Sequence, residues 1–303
     1  MQPAIVIFGK NGQVGYELNQ RLAVMGNITA LGSQQADFSS ADSVVEILQQ
    51  LKPDIIVNAA AHTAVDKAET ESQLAYLINS ETPARIAAYA EQNKCLFIHY
   101  STDFVFDGEH KQAYLETDKT HPLGVYGASK LQGEESIIHS GCSHLIFRTS
   151  WVYGMRGGNF LLTMLRLAHQ REQMKVVSDQ LGSPVWCGHI AQTTQLILEN
   201  LISNYSADSA FSAELIPKSL QGLYNLTASD YTSWFDFACK ILELDPNKEK
   251  QICKSILPIP ASEYPTPAQR PQWSVLNNDK IINTFAVPIP AWQEQLQECF
   301  NNG

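Results

Sequence analysis

Short runs of residues that are apolar at nearly every position recur along the first half of the chain: 4–8 (AIVIF), 28–31, 54–58 (DIIVN), 95–100 (CLFIHY) and 144–149 (HLIFRT). Continuous apolar character over so few residues suits a strand buried on both faces of a parallel sheet. The stretches between them have helical spacing. Residues 12–25 place Val14, Leu18, Leu22 and Met25 on one face, 40–51 begin with a Ser or Asp cap, and 72–93 form a long helix that Pro83 either kinks or restarts. Residues 124–139 and 157–170 are further helices, and 174–177 are a candidate sixth strand. Strand and helix alternating in this way predict an α/β fold with right-handed crossovers and a doubly wound parallel sheet.

Beyond about residue 178 the alternation loosens into helices at 190–201, 234–244 and 291–300, separated by loops rich in Pro and Ser. Pro258, Pro260, Pro265, Pro267 and Pro271 crowd one segment, read as an ordered extended loop because it carries Tyr264, Arg270 and Trp273. The division expected is a sheet domain over 1–150, with parts of 151–180 and 220–230 added to it, and a smaller lobe drawn mainly from 151–303.

The 31 acidic and 21 basic residues leave a net charge of -10. Nonspecific nucleic-acid binding, which needs a basic footprint, is disfavoured, whereas an anionic small ligand needs only a local cluster of donors. Six cysteines stand without a Cys-x-x-Cys or a zinc-ligand spacing, and Cys95 opens an apolar run, so reduced thiols are expected. Met1-Gln2-Pro3 leads straight into the first apolar run, and no stretch is long enough to span a bilayer, so a cytoplasmic protein with no membrane partner is expected.

Chemistry enters at the strand ends. Gly9, Gly12 and Gly15 follow the first strand and open the first helix, where glycines let a backbone turn tightly and approach a pyrophosphate at the helix N-terminus. After the second strand, Leu31-Gly32-Ser33-Gln34 offers no carboxylate to repel a 2′-phosphate and no arginine to bind one. NADPH is therefore allowed, with NADH as the alternative; Lys10 can reach such a phosphate or be solvated, and Asp37 lies near an adenine or caps a turn. Ala59, Ala60 and Ala61 after the third strand either admit a cofactor against the backbone or pack plainly, and His62 reads as a polar pocket wall rather than a metal ligand. Thr102, at the end of the fourth strand, either shares a carbonyl oxygen's developing charge or turns the chain. Tyr126 and Lys130 lie four apart on one helix face, so the ammonium is expected to lower the phenol pKa and fit it for proton transfer.

These features in this order, the segments FGKNGQVG (8–15), VNAAAHTAVDKAE (57–69), HYSTDFVFDG (99–108), VYGASKLQGE (125–134), FRTSWVYG (147–154) and YPTPAQRP (264–271) among them, resemble the extended short-chain dehydrogenase/reductases of Rossmann fold. Within that superfamily they resemble the dTDP-4-dehydrorhamnose reductase family. The resemblance implies NADPH-dependent reduction of the C4 ketone of a dTDP-linked keto-deoxy-sugar to give dTDP-L-rhamnose, used for surface polysaccharide. It implies Tyr126 as general acid, Lys130 tuning it and holding the nicotinamide ribose, Thr102 on the C4 oxygen, Trp151 against the sugar and Arg270 on the diphosphate. It further implies Gln13, Val14, Phe38 and Thr63 in cofactor binding and Asp103, Val105 and Asn159 in substrate binding. Some members bridge a homodimer through a divalent ion held by glutamates; Glu17 matches one such position, but Gly188 and Gln293 stand at the others, so no metal is expected, while a homodimer is allowed. The segment 185–189 (VWCGH) departs from the family in a loop expected to border the substrate, and Trp273 is bulky where a smaller residue is usual. Two other readings remain on this scaffold: a nucleotide-sugar epimerase or dehydratase, and a non-catalytic NADP-binding regulator like that of methionine adenosyltransferase.

Overall fold

In the computed structural model, which describes residues 2–203 and 211–302, six parallel strands form one sheet. They are β1 (Ala4–Phe8), β2 (Asn27–Leu31), β3 (Ile55–Asn58), β4 (Leu96–Thr102), β5 (His144–Thr149) and β6 (Gly222–Asn225), side by side in the order β2-β1-β3-β4-β5-β6. The chain steps outward from β1 to β2, then recrosses to β3 on β1's other side. Phe8 is thereby in register with both Leu31 and Asn58, and the reversal opens a crevice at the carboxyl ends of β1 and β3.

The longer helices are α1 (Gln13–Leu22), α2 (Ala41–Leu51), α3 (Thr82–Asn93), α4 (Val125–Ser140), α5 (Phe160–Ala168), α6 (Cys187–Ser203), α7 (Trp234–Leu244), α8 (Asp279–Phe285) and α9 (Trp292–Asn302). Successive strand residues face opposite sides of the sheet, and both sides are covered. Ile5, Ile7, Ile55, Val57, Leu96 and Ile98 pack with Leu18 and Leu22 of α1 and Ile190 and Ile197 of α6. Val6, Phe8, Ile56, Phe97 and Ile146 pack on the other side with Val44 and Leu48 of α2, Ile86 and Ala90 of α3 and Ile137 of α4. That double burial is why the strands read as unbroken apolar runs. A third core joins Tyr153, Leu161, Met164, Phe237, Ile241, Trp292 and Leu296 from α5, α7, α9 and the strand Val152–Tyr153.

Several expectations are corrected. The helix expected over 72–93 is Ser72–Tyr76, then a π-helical turn Leu77–Glu81, then α3 with Pro83 in its first turn, so the proline restarts a helix. The strand at Gln173–Val177 is not in the central sheet; it pairs with Ser255–Ile259, whose last two residues, Pro258 and Ile259, begin the proline-rich segment read as a loop. The sixth place in the sheet is taken by β6. Nor is 185–189 a loop: Val185–Trp186 pair with Val152–Tyr153, and Cys187 begins α6. All six cysteines are free, and Cys95 is buried. No helix among the described residues is long and apolar enough to cross a membrane.

Candidate active site

The glycine turn is built for close approach. Gly9 has φ +86°, and a Cβ there would lie 2.7 Å from the Ala59 carbonyl and the Ala60 nitrogen after β3. A Cβ on Gly15 would strike the Gly9 carbonyl oxygen, so this glycine seats α1 on the turn. Gly12 caps α1, and its backbone N–H donates to the Gly9 carbonyl at 2.9 Å. Gly12, Gln13 and Val14 bring the α1 N-terminus to the edge of a cleft of about 520 Å³.

Into this cleft the fold gathers Ala59, Ala60, Ala61 and Thr63 from the β3 end, Thr102 and Asp103 from the β4 end, Tyr126 and Lys130 from α4, Trp151, Asn159 and Arg270. Other expected site residues stand back from it. Gly9, Lys10 and Gly15 shape the turn without lining the cleft; the Lys10 N–H donates to the Leu31 carbonyl at 3.2 Å. Asp37 is exposed and caps a turn, its Oδ1 accepting from the Ser39 N–H and hydroxyl at 2.8 and 2.7 Å. Phe38 is buried edge-on against Phe8, ring centroids 5.3 Å apart. Val105 is fully buried with Phe106, Tyr114 and Leu276 and does not line the cleft. The departing segment 185–189 also lies outside the cleft, with His189 buried and hydrogen-bonded to Thr193 at 3.3 Å. His62 bonds Glu71 at 2.9 Å, and among the described residues no group of three or more His, Cys, Asp or Glu could hold a metal.

β4 runs two residues further than the apolar run predicts, so Ser101 and Thr102 are strand residues aimed by the pleat. The Thr102 hydroxyl donates to Asp103 Oδ1 at 3.1 Å and accepts the Phe104 N–H at 3.2 Å. Asp103 is buried and also takes the Ser150 hydroxyl at 3.1 Å; burial pushes its carboxyl up to about 6, against hydrogen bonds from Ser274, Ser150 and Thr102. Helix α4 is held at its start by Glu69, whose Oε1 accepts the Val125 N–H at 2.9 Å, a carboxylate at the positive end of the helix.

Lys130 does not do to Tyr126 what their spacing predicts. Its Nζ turns toward β4, donating to the Tyr100 carbonyl at 2.6 Å and lying 3.1 Å from His99 Nε2. Burial pushes the Tyr126 hydroxyl up to about 12; a hydrogen bond from Thr102 opposes this and the Asp103 charge adds to it. Burial likewise lowers Lys130 to about 8, against the Glu134 charge. The site therefore presents a neutral phenol, a proton donor, beside a threonine hydroxyl.

Trp151 and Asn159 connect the site to the third core. Asn159 caps α5 by accepting the Leu162 N–H at 3.0 Å, and its amide donates to Gln13 Oε1 at 2.8 Å, tying α5 to the glycine turn. Trp151 stacks on Trp234, a cleft residue at the start of α7 that the sequence reading missed. The available signal was Ser233-Trp234: Ser233 caps α7 by accepting the Asp236 N–H at 2.9 Å, which puts the next side chain at a helix start. Arg270 pairs with Asp66 at 2.9 Å and lies between the cleft and a second cavity of about 590 Å³ that Trp273 also lines.

A dinucleotide suits this cleft. The glycine turn leaves the α1 N-terminus open to a pyrophosphate. Ser101 Oγ, buried in the cleft wall, has no partner among the described residues. Lys130 lines the same wall and donates one N–H to the Tyr100 carbonyl, which leaves it an N–H for a ligand.

The family model described as RmlD substrate binding domain matches residues 2–303. The chain is 42% identical over 298 residues to a dTDP-4-dehydrorhamnose reductase of Burkholderia thailandensis, covering 97% of both. It is 42% identical over 302 residues to that of Escherichia coli K12, covering 98% of this chain and 97% of the relative. Among solved structures, a dTDP-4-dehydrorhamnose reductase of Bacillus anthracis in complex with NADP superposes with TM-score 0.86 at 32% identity over 100% of both chains. This chain belongs to the RmlD substrate binding domain family, the family of these dTDP-4-dehydrorhamnose reductases.

Proposed function

We propose that the protein reduces the C4 ketone of dTDP-4-dehydro-L-rhamnose to dTDP-L-rhamnose with NADPH, NADH being the lesser alternative. The observation that carries this is the meeting of Tyr126 and Thr102 in the same cleft as the glycine turn, with the buried Lys130 four residues along α4. The cofactor, held by Gly12, Gln13, Val14 and Ala59–Ala61, supplies the hydride. Tyr126, a neutral phenol, gives its proton to the C4 oxygen, and the Thr102 hydroxyl turns its one proton from Asp103 to hydrogen-bond that oxygen as it gains charge. Lys130 offsets the phenolate that remains and directs its free N–H at the nicotinamide ribose. Trp151 and Trp234 wall the sugar. Arg270, already paired with Asp66, meets the diphosphate with a guanidinium fork. In this reading the strand ends of the sheet serve the cofactor, and the residues around α5 and α7 serve the sugar.

The test is NADPH oxidation followed by absorbance with enzymatically generated dTDP-4-dehydro-L-rhamnose, beside its UDP and GDP counterparts. One NADPH lost per sugar reduced, with dTDP preferred, is the expected result. Turnover with no net loss of NADPH would assign an epimerase or dehydratase instead; Phe104, where a dehydratase would carry Glu after Asp103, speaks against that. NADPH binding with no turnover on any keto-sugar would assign a regulator.

A further inference from the structure

Beneath the cleft, three buried polar side chains are joined in a line: Asn58 at the end of β3, His99 in β4 and Lys130 in α4, each no more than 1% exposed. Asn58 Nδ2 lies 3.1 Å from His99 Nδ1, and His99 Nε2 lies 3.1 Å from Lys130 Nζ. The Asn58 amide is not free to turn over, because its Oδ1 accepts the Ala60 N–H at 3.0 Å. Its nitrogen, a donor only, therefore faces Nδ1, which must be the bare nitrogen of a neutral ring; the ring proton then sits on Nε2 and points at Lys130. An Nε2–H can donate to a lysine amine, which has a lone pair, but not to an ammonium, which has none. A charged Lys130 forces the proton to Nδ1, against the Asn58 NH2 group, and one buried hydrogen bond is lost.

We propose that His99 is a positioning residue for Lys130, and that Asn58, through the tautomer it imposes on His99, biases Lys130 toward the neutral amine until a cofactor is bound. The proposal deepens the reading of Lys130 as the cofactor-side lysine and rests on it for that last clause alone. His99 does not line the cleft, so its effect is exerted wholly through Lys130. The charged and titratable groups acting on Lys130 are Glu134 on its own helix and His99 on β4; Tyr126 and Asp103 line the same cleft, and Arg148 on β5 is reached through Glu134. Glu134 is committed to Arg148, with Nη2 to Oε2 at 2.7 Å and Nε to Oε1 at 3.0 Å, and among the described residues no carboxylate is hydrogen-bonded to Lys130 Nζ. Burial acts in the same direction as the wiring on both groups, lowering Lys130 and holding His99 well below the ordinary imidazole range. When an anionic dinucleotide enters, its charge favours the ammonium, and binding then takes up a proton.

The tautomer is read directly from a long-range proton–nitrogen correlation spectrum of the wild-type imidazoles without cofactor, recorded above the Lys130 value of about 8 so that the lysine is the amine, with His99 assigned by its loss in His99→Gln. A neutral ring protonated at Nε2 is expected; a ring protonated at Nδ1, or an imidazolium, overturns the proposal. A second measurement follows the Lys130 ε-carbon shift against pH, assigned with Lys130→Arg. Asn58→Asp, which accepts from Nδ1–H, is expected to raise the Lys130 midpoint by about one pH unit, a tenfold gain in proton affinity. The same change in a His99→Phe background is expected to raise it by less than half as much. Equal shifts in both backgrounds would make the effect a through-space charge and overturn the role of His99. Neither readout uses NADPH or a sugar, so failure of the enzymatic reading leaves both interpretable.

Discussion

Trp234 lies face to face with Trp151, their ring centroids 3.4 Å apart and their planes 6° from parallel. Trp151 holds this pose from a left-handed backbone, φ +47°, which a bulky residue adopts only when its surroundings over-determine it. Gly182 lies against the same indole: a Cβ on it would come within 2.5 Å of Trp151 Cε2. One face of Trp151 is thus already covered, and in the proposed reading the wall a sugar meets is the stacked pair rather than a single ring. Aromatic pairs of this kind contribute about 0.5–1.5 kcal/mol beyond area. Trp234→Ala is therefore expected to raise KM for the keto-sugar by about threefold to tenfold and to change kcat less, with KM for NADPH unmoved. Steady-state kinetics with each substrate varied in turn decide it; an unaltered sugar KM would remove Trp234 from the site.

The Tyr126 hydroxyl, raised to about 12 chiefly by burial, stays protonated throughout the working range, as a proton donor must. Tyr126→Phe keeps the ring and its edge-on contact with Phe104, centroids 5.6 Å apart, and removes only the acid. A fall in kcat of about 10²- to 10⁴-fold is expected, with NADPH affinity by fluorescence titration unchanged. The pH profile separates the two partners. Loss of activity on the alkaline side belongs to Lys130, which burial lowers to about 8, and not to Tyr126. In the proposed mechanism kcat/KM needs the ammonium, which a bound anionic cofactor favours, so kcat/KM is expected to fall only as pH rises above about 8, and Lys130→Arg carries any residual alkaline limb upward. An alkaline limb unmoved in Lys130→Arg would show that another group sets it.

What the sequence made legible was what neighbours in the chain decide. The glycine turn, the paired burial of β1 to β5 and the helix face carrying Tyr126 all rest on spacing within one element. What it hid depends on partners far along the chain. Nothing near Arg270 announces Asp66, 204 positions away, and nothing near Trp151 announces Trp234. The four residues of β6, Gly222 and Asn225 among them, carry too little apolar signal to stand out as a strand; pairing with Leu145 to Arg148 places them in the sheet. The direction of Lys130 was hidden for a different reason. Helical spacing puts its Cβ beneath Tyr126, but its long stem lets the ammonium choose the Tyr100 carbonyl instead.

The ion pair of Arg148 and Glu134 is the most deeply buried in the molecule among the described pairs, with side chains 4% and 1% exposed. Arg148 also lies over Phe106, 5.0 Å from its centroid. Removing one partner strands the other charge in the interior, which costs about 3–5 kcal/mol, whereas replacing both with apolar side chains of similar volume is often nearly neutral. Arg148→Met alone is expected to lose stability in that range by urea unfolding. Arg148→Met with Glu134→Leu is expected to recover most of it. Additive losses in the double variant would mean that packing, not charge, holds this spot.

Asp103 contributes to stability with a definite sign. Its carboxyl is raised from 3.8 to about 6 in the folded protein, because burial outweighs the hydrogen bonds from Ser274, Ser150 and Thr102. The folded state thus binds the proton more tightly than the unfolded chain does. The stabilisation this provides is complete below the unfolded value and is lost as pH rises through the folded value. Wild-type stability should therefore decline between about pH 4 and 6 from this group, leaving a buried carboxylate at neutral pH. Asp103→Asn keeps the shape and an acceptor for the neighbouring hydroxyls but cannot ionise. It is expected to be more stable than wild type at pH 7 by an amount on the order of 2–3 kcal/mol, with the advantage vanishing near pH 4. Urea unfolding midpoints measured at unit steps from pH 4 to 8 give the difference curve. A constant difference across that range would show that Asp103 keeps its ordinary acidity, and that Thr102 and Ser150 face a full carboxylate throughout.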